Sequence, residues 1–121
     1  MGARDELTPA TAPEASARLL RRRLEQGPLW MPVDGTSMGR TIRAGSQVLL
    51  VSAAAPRTGE IWAFYSDAGV LVMHRCLGRA AGGLRFQGDA HFEDPAVRPG
   101  ALVGRAVRTV GISPDRWRRG R

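Results

Sequence analysis

Three short segments carry side chains able to do chemistry. Gly35-Thr36-Ser37-Met38-Gly39 sets a serine hydroxyl in a turn of small residues. Leu71-Val72-Met73-His74-Arg75-Cys76-Leu77 sets a histidine inside an apolar run. Gly88-Asp89-Ala90-His91-Phe92-Glu93-Asp94 supplies two aspartates and a second histidine in a polar turn. Each has an ordinary reading by itself: a loop-closing serine, a hydrogen-bonded core histidine, and aspartates capping their own backbone. Together they contain what nucleophilic catalysis needs. A serine hydroxyl attacks poorly until a neighbouring base accepts its proton. An imidazole, which ordinarily titrates near pH 6.5, suits that task. A carboxylate on the far ring nitrogen fixes the tautomer and stabilises the imidazolium. All 18 basic residues of Lys and Arg type are arginine. Arginine stays protonated and cannot act as the base, and without lysine a Ser-Lys pair is excluded.

Other chemistries are less well supported. His74, Cys76, His91 and an aspartate are ligand types for zinc. However, the sequence has no Cys-x-x-Cys or His-Glu-x-x-His spacing, so no metal and no cofactor is predicted. The net charge of +7 gathers at Arg21-Arg22-Arg23 and at Arg116-Trp117-Arg118-Arg119-Gly120-Arg121. Such runs are first of all solvated, and weak phosphate contact is the most they suggest. No specific nucleic-acid partner is expected.

These groups need elements to position them, and 121 residues suffice for one domain. Residues 1–13 show no periodicity and read as disordered. Residues 14–27 read as an amphipathic helix, with Ala15, Leu19, Leu20 and Leu24 on one stripe. Residues 28–112 form the β region, and 113–121 an Arg-rich tail. Strands are predicted over 29–33, 46–52, 60–65, 70–77, 84–87 and 102–110, with Gly-bearing turns between them. Close spacing of such strands predicts a mainly β fold, a curved sheet or small barrel with one N-terminal helix. Alternation along a strand puts His74 on the face of Val72 and Cys76, opposite Arg75. The longest apolar runs, Val48–Val51 and Val70–Met73, are far shorter than the ~20 residues of a membrane helix. There is no secretion pattern, so the chain is expected to be cytoplasmic and soluble. A single cysteine excludes an internal disulfide.

Read in order, Ser37-Met38, Ala44-Gly45 before Val48-Leu49-Leu50-Val51, Gly59-Glu60-Ile61, His74-Arg75, Gly88-Asp89 with Asp94, and Val103-Gly104 resemble the type I signal peptidases and LexA-type repressors. The match is closest to the archaeal and endoplasmic-reticulum branch, which carries histidine where the bacterial enzymes carry lysine. The resemblance implies a curved β fold of that type and a serine endopeptidase with Ser37 as nucleophile and His74 as base. It implies that Asp94, or else Asp89, orients the imidazole, and that the Ser37 N–H meets the oxyanion. Gly35, Thr36 and Met38 then fall on the substrate and oxyanion side. The implied partner is a peptide or protein bound as an extended strand. The chain differs from the family at Arg40, where proline is usual, and at Gly35, where bacterial enzymes carry a hydroxyl. An inactive peptide-binding module with the same fold is the alternative. Ala81-Gly82 is a candidate site for self-cleavage. The sequence specifies no oligomeric state.

Overall fold

The structure is a computed structural model that describes residues 11–110. The Arg-rich tail and residues 1–10 of the segment expected to be disordered lie outside the described residues. Helix α1 spans Ala12–Leu24. It begins two residues before the sequence-based boundary because Thr11 and Glu14 form a capping box. The Thr11 hydroxyl accepts from the Glu14 N–H at 3.2 Å, and Glu14 Oε1 accepts from the Thr11 N–H at 3.1 Å. Pro13 falls in the first turn, where its missing N–H costs nothing. Arg21, Arg22 and Arg23 occupy the last turn and complement the negative end of the helix dipole. The buried stripe is Ala17, Leu20 and Leu24, whereas Leu19 faces solvent at 68% exposure. The expected stripe was therefore rotated.

Six strands follow: β1 (Leu29–Pro32), β2 (Gln47–Val51), β3 (Ile61–Tyr65), β4 (Leu71–Ala80), β5 (Gly83–Gln87) and β6 (Leu102–Val110). They make one antiparallel sheet in the order β1-β2-β6-β3-β4-β5. Of the two predicted shapes, the closed barrel is not formed. Closure would require β1 to pair with β5, and these are the two ends of an open sheet. Ladder irregularities at Leu49/Leu50, Ala63/Phe64 and Cys76/Gly78 are bulges of the kind that bend strands. β4 runs on to Ala80 because the last of these takes up Leu77 as the extra residue and the ladder resumes at Gly78, which pairs with Arg85.

The central strand β3 is covered on both faces. Ile61 and Ala63 join Val48, Leu50, Met73 and Ala106 in the core that includes Ala17 and Leu24 of α1. Trp62 and Phe64 join Cys76, Phe86, Val97 and Leu102 on the other face. Burying each such aromatic contributes about 2–3 kcal/mol. At Gly104 a Cβ would meet Leu24 Cδ1 at 2.5 Å and the Val51 carbonyl at 2.6 Å, so only glycine lets α1 lie this close to β6. Among the described residues no helix is long and apolar enough to cross a membrane.

One feature of the sheet concerns the site directly. β5 pairs with β4 only from Arg75 onward. The outer edge of β4 over Leu71–His74 is thus uncovered by any strand among the described residues. Val70 O accepts from the Ser66 N–H, and the Cys76 N–H donates to Glu60 O. By antiparallel alternation, the backbone groups of Leu71 and Met73 turn away from β3 toward that open edge.

Candidate active site

Ser37 sits in the connection between β1 and β2. The turn is tightened by the Gly39 N–H donating to Thr36 O at 2.9 Å and the Thr41 N–H donating to Met38 O at 3.0 Å. Met38 and Ile42 are buried and anchor the turn to the core. Ser37 O accepts from the Ala90 N–H at 2.8 Å, joining this turn to the β5–β6 connection. Gly88 lies beneath the junction. A Cβ there would come within 2.4 Å of Ser37 O, 3.0 Å of His74 Nε2 and 3.1 Å of His91 Cβ.

His74, on the β4 face shared with Cys76, is 4% exposed. Its Nε2 is 2.8 Å from Ser37 Oγ, and its Nδ1 is 2.6 Å from Asp94 Oδ2. Facing a carboxylate, Nδ1 carries the proton and donates, which leaves Nε2 to accept from the serine hydroxyl. The Phe64 ring packs edge-on at 6.1 Å between centroids and restricts the imidazole from the side. Asp94 is held by its own backbone, whose N–H donates to Phe86 O at 2.9 Å. The three side chains therefore form one connected line of hydrogen bonds from segments far apart in the chain.

Asp89 is bound elsewhere. Arg75 grips it through Nε–Oδ1 at 2.9 Å and Nη2–Oδ2 at 2.7 Å, Thr41 Oγ1 donates to it, and Arg75 Nη1 also bonds Gly59 O at 2.8 Å. Burial would raise the Asp89 carboxyl. The hydrogen bonds from Arg75 and Thr41, with the Arg75 charge, outweigh that and hold it below its ordinary value. As the alternative orienter of the imidazole, Asp89 is displaced by Asp94, whose carboxylate occupies the ring nitrogen. What Asp89 does is tie the Gly88 turn to β4.

The remaining predicted residues are placed differently from one another. Among the described residues no group accepts from the Ser37 N–H, so it is free to donate. Thr36 is exposed and its hydroxyl makes no bond within the described residues. Gly35 turns at φ 85°. Met38 was assigned to the substrate side. Its side chain is 3% exposed and its Sδ accepts from the Asp89 N–H at 3.4 Å, so it serves mainly as the floor beneath Ser37. Burial pushes the Cys76 thiol up, which keeps it protonated below His74. Among the described residues no group of three or more His, Cys, Asp or Glu side chains gathers to hold a metal ion.

Ser37 and His74 open into a cleft of about 460 Å³. One wall is the open edge of β4 from Val70 to His74, and the other is Pro32 to Gly35; His91 lines it beside Asp94. Val33 spends its backbone on the strand behind it, donating to Ser46 O at 2.9 Å and accepting from the Gly45 N–H at 2.8 Å. Alternation then turns Pro32 and Asp34 toward the cleft. A roomier hollow of about 620 Å³ lies by Ala54, Pro56, Trp62 and Arg79, with no nucleophile in its lining. Ala81-Gly82 forms the β4–β5 turn, since Ala80 pairs with Gly83. Ala81 is seven residues beyond His74, or roughly 23 Å at strand rise. Self-cleavage there would require another molecule or unwinding of the hairpin.

Sequence reasoning missed two contributors. Gly88 was noted only as part of a motif, and Arg75 only as the residue behind His74. The available signal was one basic side chain next to His74 and one acidic candidate, Asp89, next to Gly88. No known family model matches the chain, and a search among curated proteins finds no match.

Proposed function

We propose that this chain is a serine endopeptidase of the signal peptidase and LexA-type kind, in which Ser37, His74 and Asp94 cleave an extended peptide. The observation that carries the reading is the unbroken series Ser37 Oγ–His74 Nε2 at 2.8 Å and His74 Nδ1–Asp94 Oδ2 at 2.6 Å, at the end of a cleft with an uncovered strand edge. In this reading the substrate adds as a strand against Leu71 and Met73, whose backbone groups face it. Ser37 Oγ attacks the scissile carbonyl while its proton passes to His74 Nε2. The tetrahedral oxyanion takes a hydrogen bond from the Ser37 N–H. The C–N bond then breaks, and His74 gives its proton to the departing amine. Water, deprotonated by His74, attacks the acyl-serine ester, and its proton returns to Ser37 as the acid product leaves. Asp94 holds the Nδ1 proton and the positive ring throughout.

The test is hydrolysis of a peptide library by the wild type, Ser37→Ala and His74→Ala, with a fluorophosphonate probe for the serine. The wild type should cleave and take the probe at Ser37. Both variants should keep the wild-type circular dichroism and lose cleavage. Cleavage at the wild-type rate by Ser37→Ala would overturn the proposal, as would a wild type that neither cuts nor labels. The second result would leave a peptide-binding module on the same scaffold.

A further inference from the structure

The cleft holds a charged group that the proposed chemistry does not use. Of its lining residues only Asp34 and Asp94 carry a charge, and Asp94 is bound to His74. Asp34 is exposed and has no hydrogen bond or ion pair among the described residues. Among the described carboxylates the side chains of Glu25 and Asp67 also lack a partner, but neither lines the cleft. Glu14, Glu60, Asp89 and Glu93 each accept from a hydroxyl, an indole or a guanidinium. With 18 arginines against 11 acidic residues in the sequence, a cleft-lining carboxylate that pairs with no cation among the described residues is available to a cation from outside. Its place is fixed as well. Asp34 lines the cleft three positions before Ser37, on the wall opposite Leu71 and Met73.

We infer that Asp34 selects a basic side chain, arginine or lysine, in the bound peptide. This rests on the cleft being the peptide site proposed above. The three-residue separation from Ser37 sets the selected position within about four residues of the scissile bond, on the strand-lined part of the cleft. Val33 and Val72, both part-exposed and lining the same cleft, offer apolar surface for the methylene stem of such a side chain. The charge of the rest of the molecule is positive, so this preference is local and opposes the overall field.

The experiment uses one set of short peptides with Arg, Gln or Glu placed at each position in turn. An exposed carboxylate–guanidinium pair is worth up to about fivefold. Repulsion of Glu by the same carboxylate is of similar size, so the wild type should favour Arg over Glu by severalfold, and at most by about 25-fold, in kcat/KM at one position. Asp34→Asn should erase that ratio and Asp34→Arg should invert it. The ratio of two peptides on one preparation is insensitive to partial loss of folded protein. The same ratios are read as binding affinities on Ser37→Ala, so they remain measurable where no hydrolysis occurs. An Arg/Glu ratio near one in the wild type, or one unchanged in both variants, overturns the role of Asp34. Absence of hydrolysis together with an Asp34-dependent binding ratio instead overturns the peptidase reading and keeps this one.

Discussion

Replacing Gly88 by alanine tests whether backbone contact beneath the serine sets the reacting distance. The added Cβ would lie 2.4 Å from Ser37 O, and Cβ contacts under 3.0 Å essentially do not occur. The carbonyl must therefore retreat by at least the difference, about 0.6 Å, and by about 1 Å to reach ordinary contact. The same Cβ presses on His74 Nε2 from 3.0 Å, so one methyl group pushes the backbone that carries the serine and the ring nitrogen its hydroxyl meets at 2.8 Å. A misplacement of about 1 Å at reacting atoms costs on the order of 100-fold. Overpacking of this kind costs about 1–3 kcal/mol of stability. The comparison is Gly82→Ala in the β4–β5 turn, where φ is +82° and nothing lies within 4 Å of the new atom. That variant carries backbone strain of about 1–2 kcal/mol, and no steric contact. Urea melts should show both variants destabilised. Peptide hydrolysis and the rate of fluorophosphonate labelling should fall about 100-fold for Gly88→Ala only. If Gly88→Ala is destabilised but keeps its labelling rate within twofold, the packing argument is wrong.

Two other perturbations separate the carboxylates. Asp94→Asn should lower kcat by about 1,000-fold or more with little change in melting temperature, because an amide can present the wrong partner to Nδ1; loss below tenfold would deny Asp94 its orienting role. Asp89→Asn should instead cost about 2 kcal/mol of stability at neutral pH, since it removes the charge gripped by Arg75. The Asp89 carboxyl is held below its ordinary 3.8, so its contribution is complete above that value and disappears as pH falls through the lower folded value. The stability gap between wild type and Asp89→Asn should accordingly close in acid, and a gap independent of pH would refute the assignment.

Much of the architecture was readable before any coordinates, for local reasons. Each strand carries its own alternation or apolar run and is bounded by Gly-containing turns, so all six were predicted close to their observed limits. The helix start was misplaced because residues 1–13 show no periodicity, while the Thr11–Glu14 box that starts the helix and makes proline welcome there went unread. Ala15 and Leu19 were put on the buried stripe because Leu20 and Leu24 fit helical spacing with either neighbour; the sheet takes the side of Ala17 instead, and which side it takes is set by tertiary packing. Gly78 was read as a boundary because a bulge and a strand end look alike in sequence. Open sheet or closed barrel could not be decided, since that depends on which ends meet. At the site, residue types and order suggested Ser37, His74 and an aspartate as candidates. The choice between Asp89 and Asp94 depended on the path of the 88–94 turn, and that path follows from contacts with Ser37, Arg75 and Phe86. The demand for a bare backbone at Gly88 is likewise a property of two chain segments converging.

The uncovered stretch of β4 has a consequence for the behaviour of the protein at high concentration. Sticky strand borders are hazards that invite neighbours to stack edge to edge. Segments of about six or more residues are what such stacking needs. Here the border spans only Leu71–His74, cut off on one side by the Ser66–Gly69 turn and on the other by β5. It offers a visitor two residues' worth of outward-facing backbone groups, enough to align a passing chain and too few to seed a fibre. Lengthening it by trimming the β5 hairpin would enlarge the docking strip and, at the same stroke, remove what keeps the molecules apart.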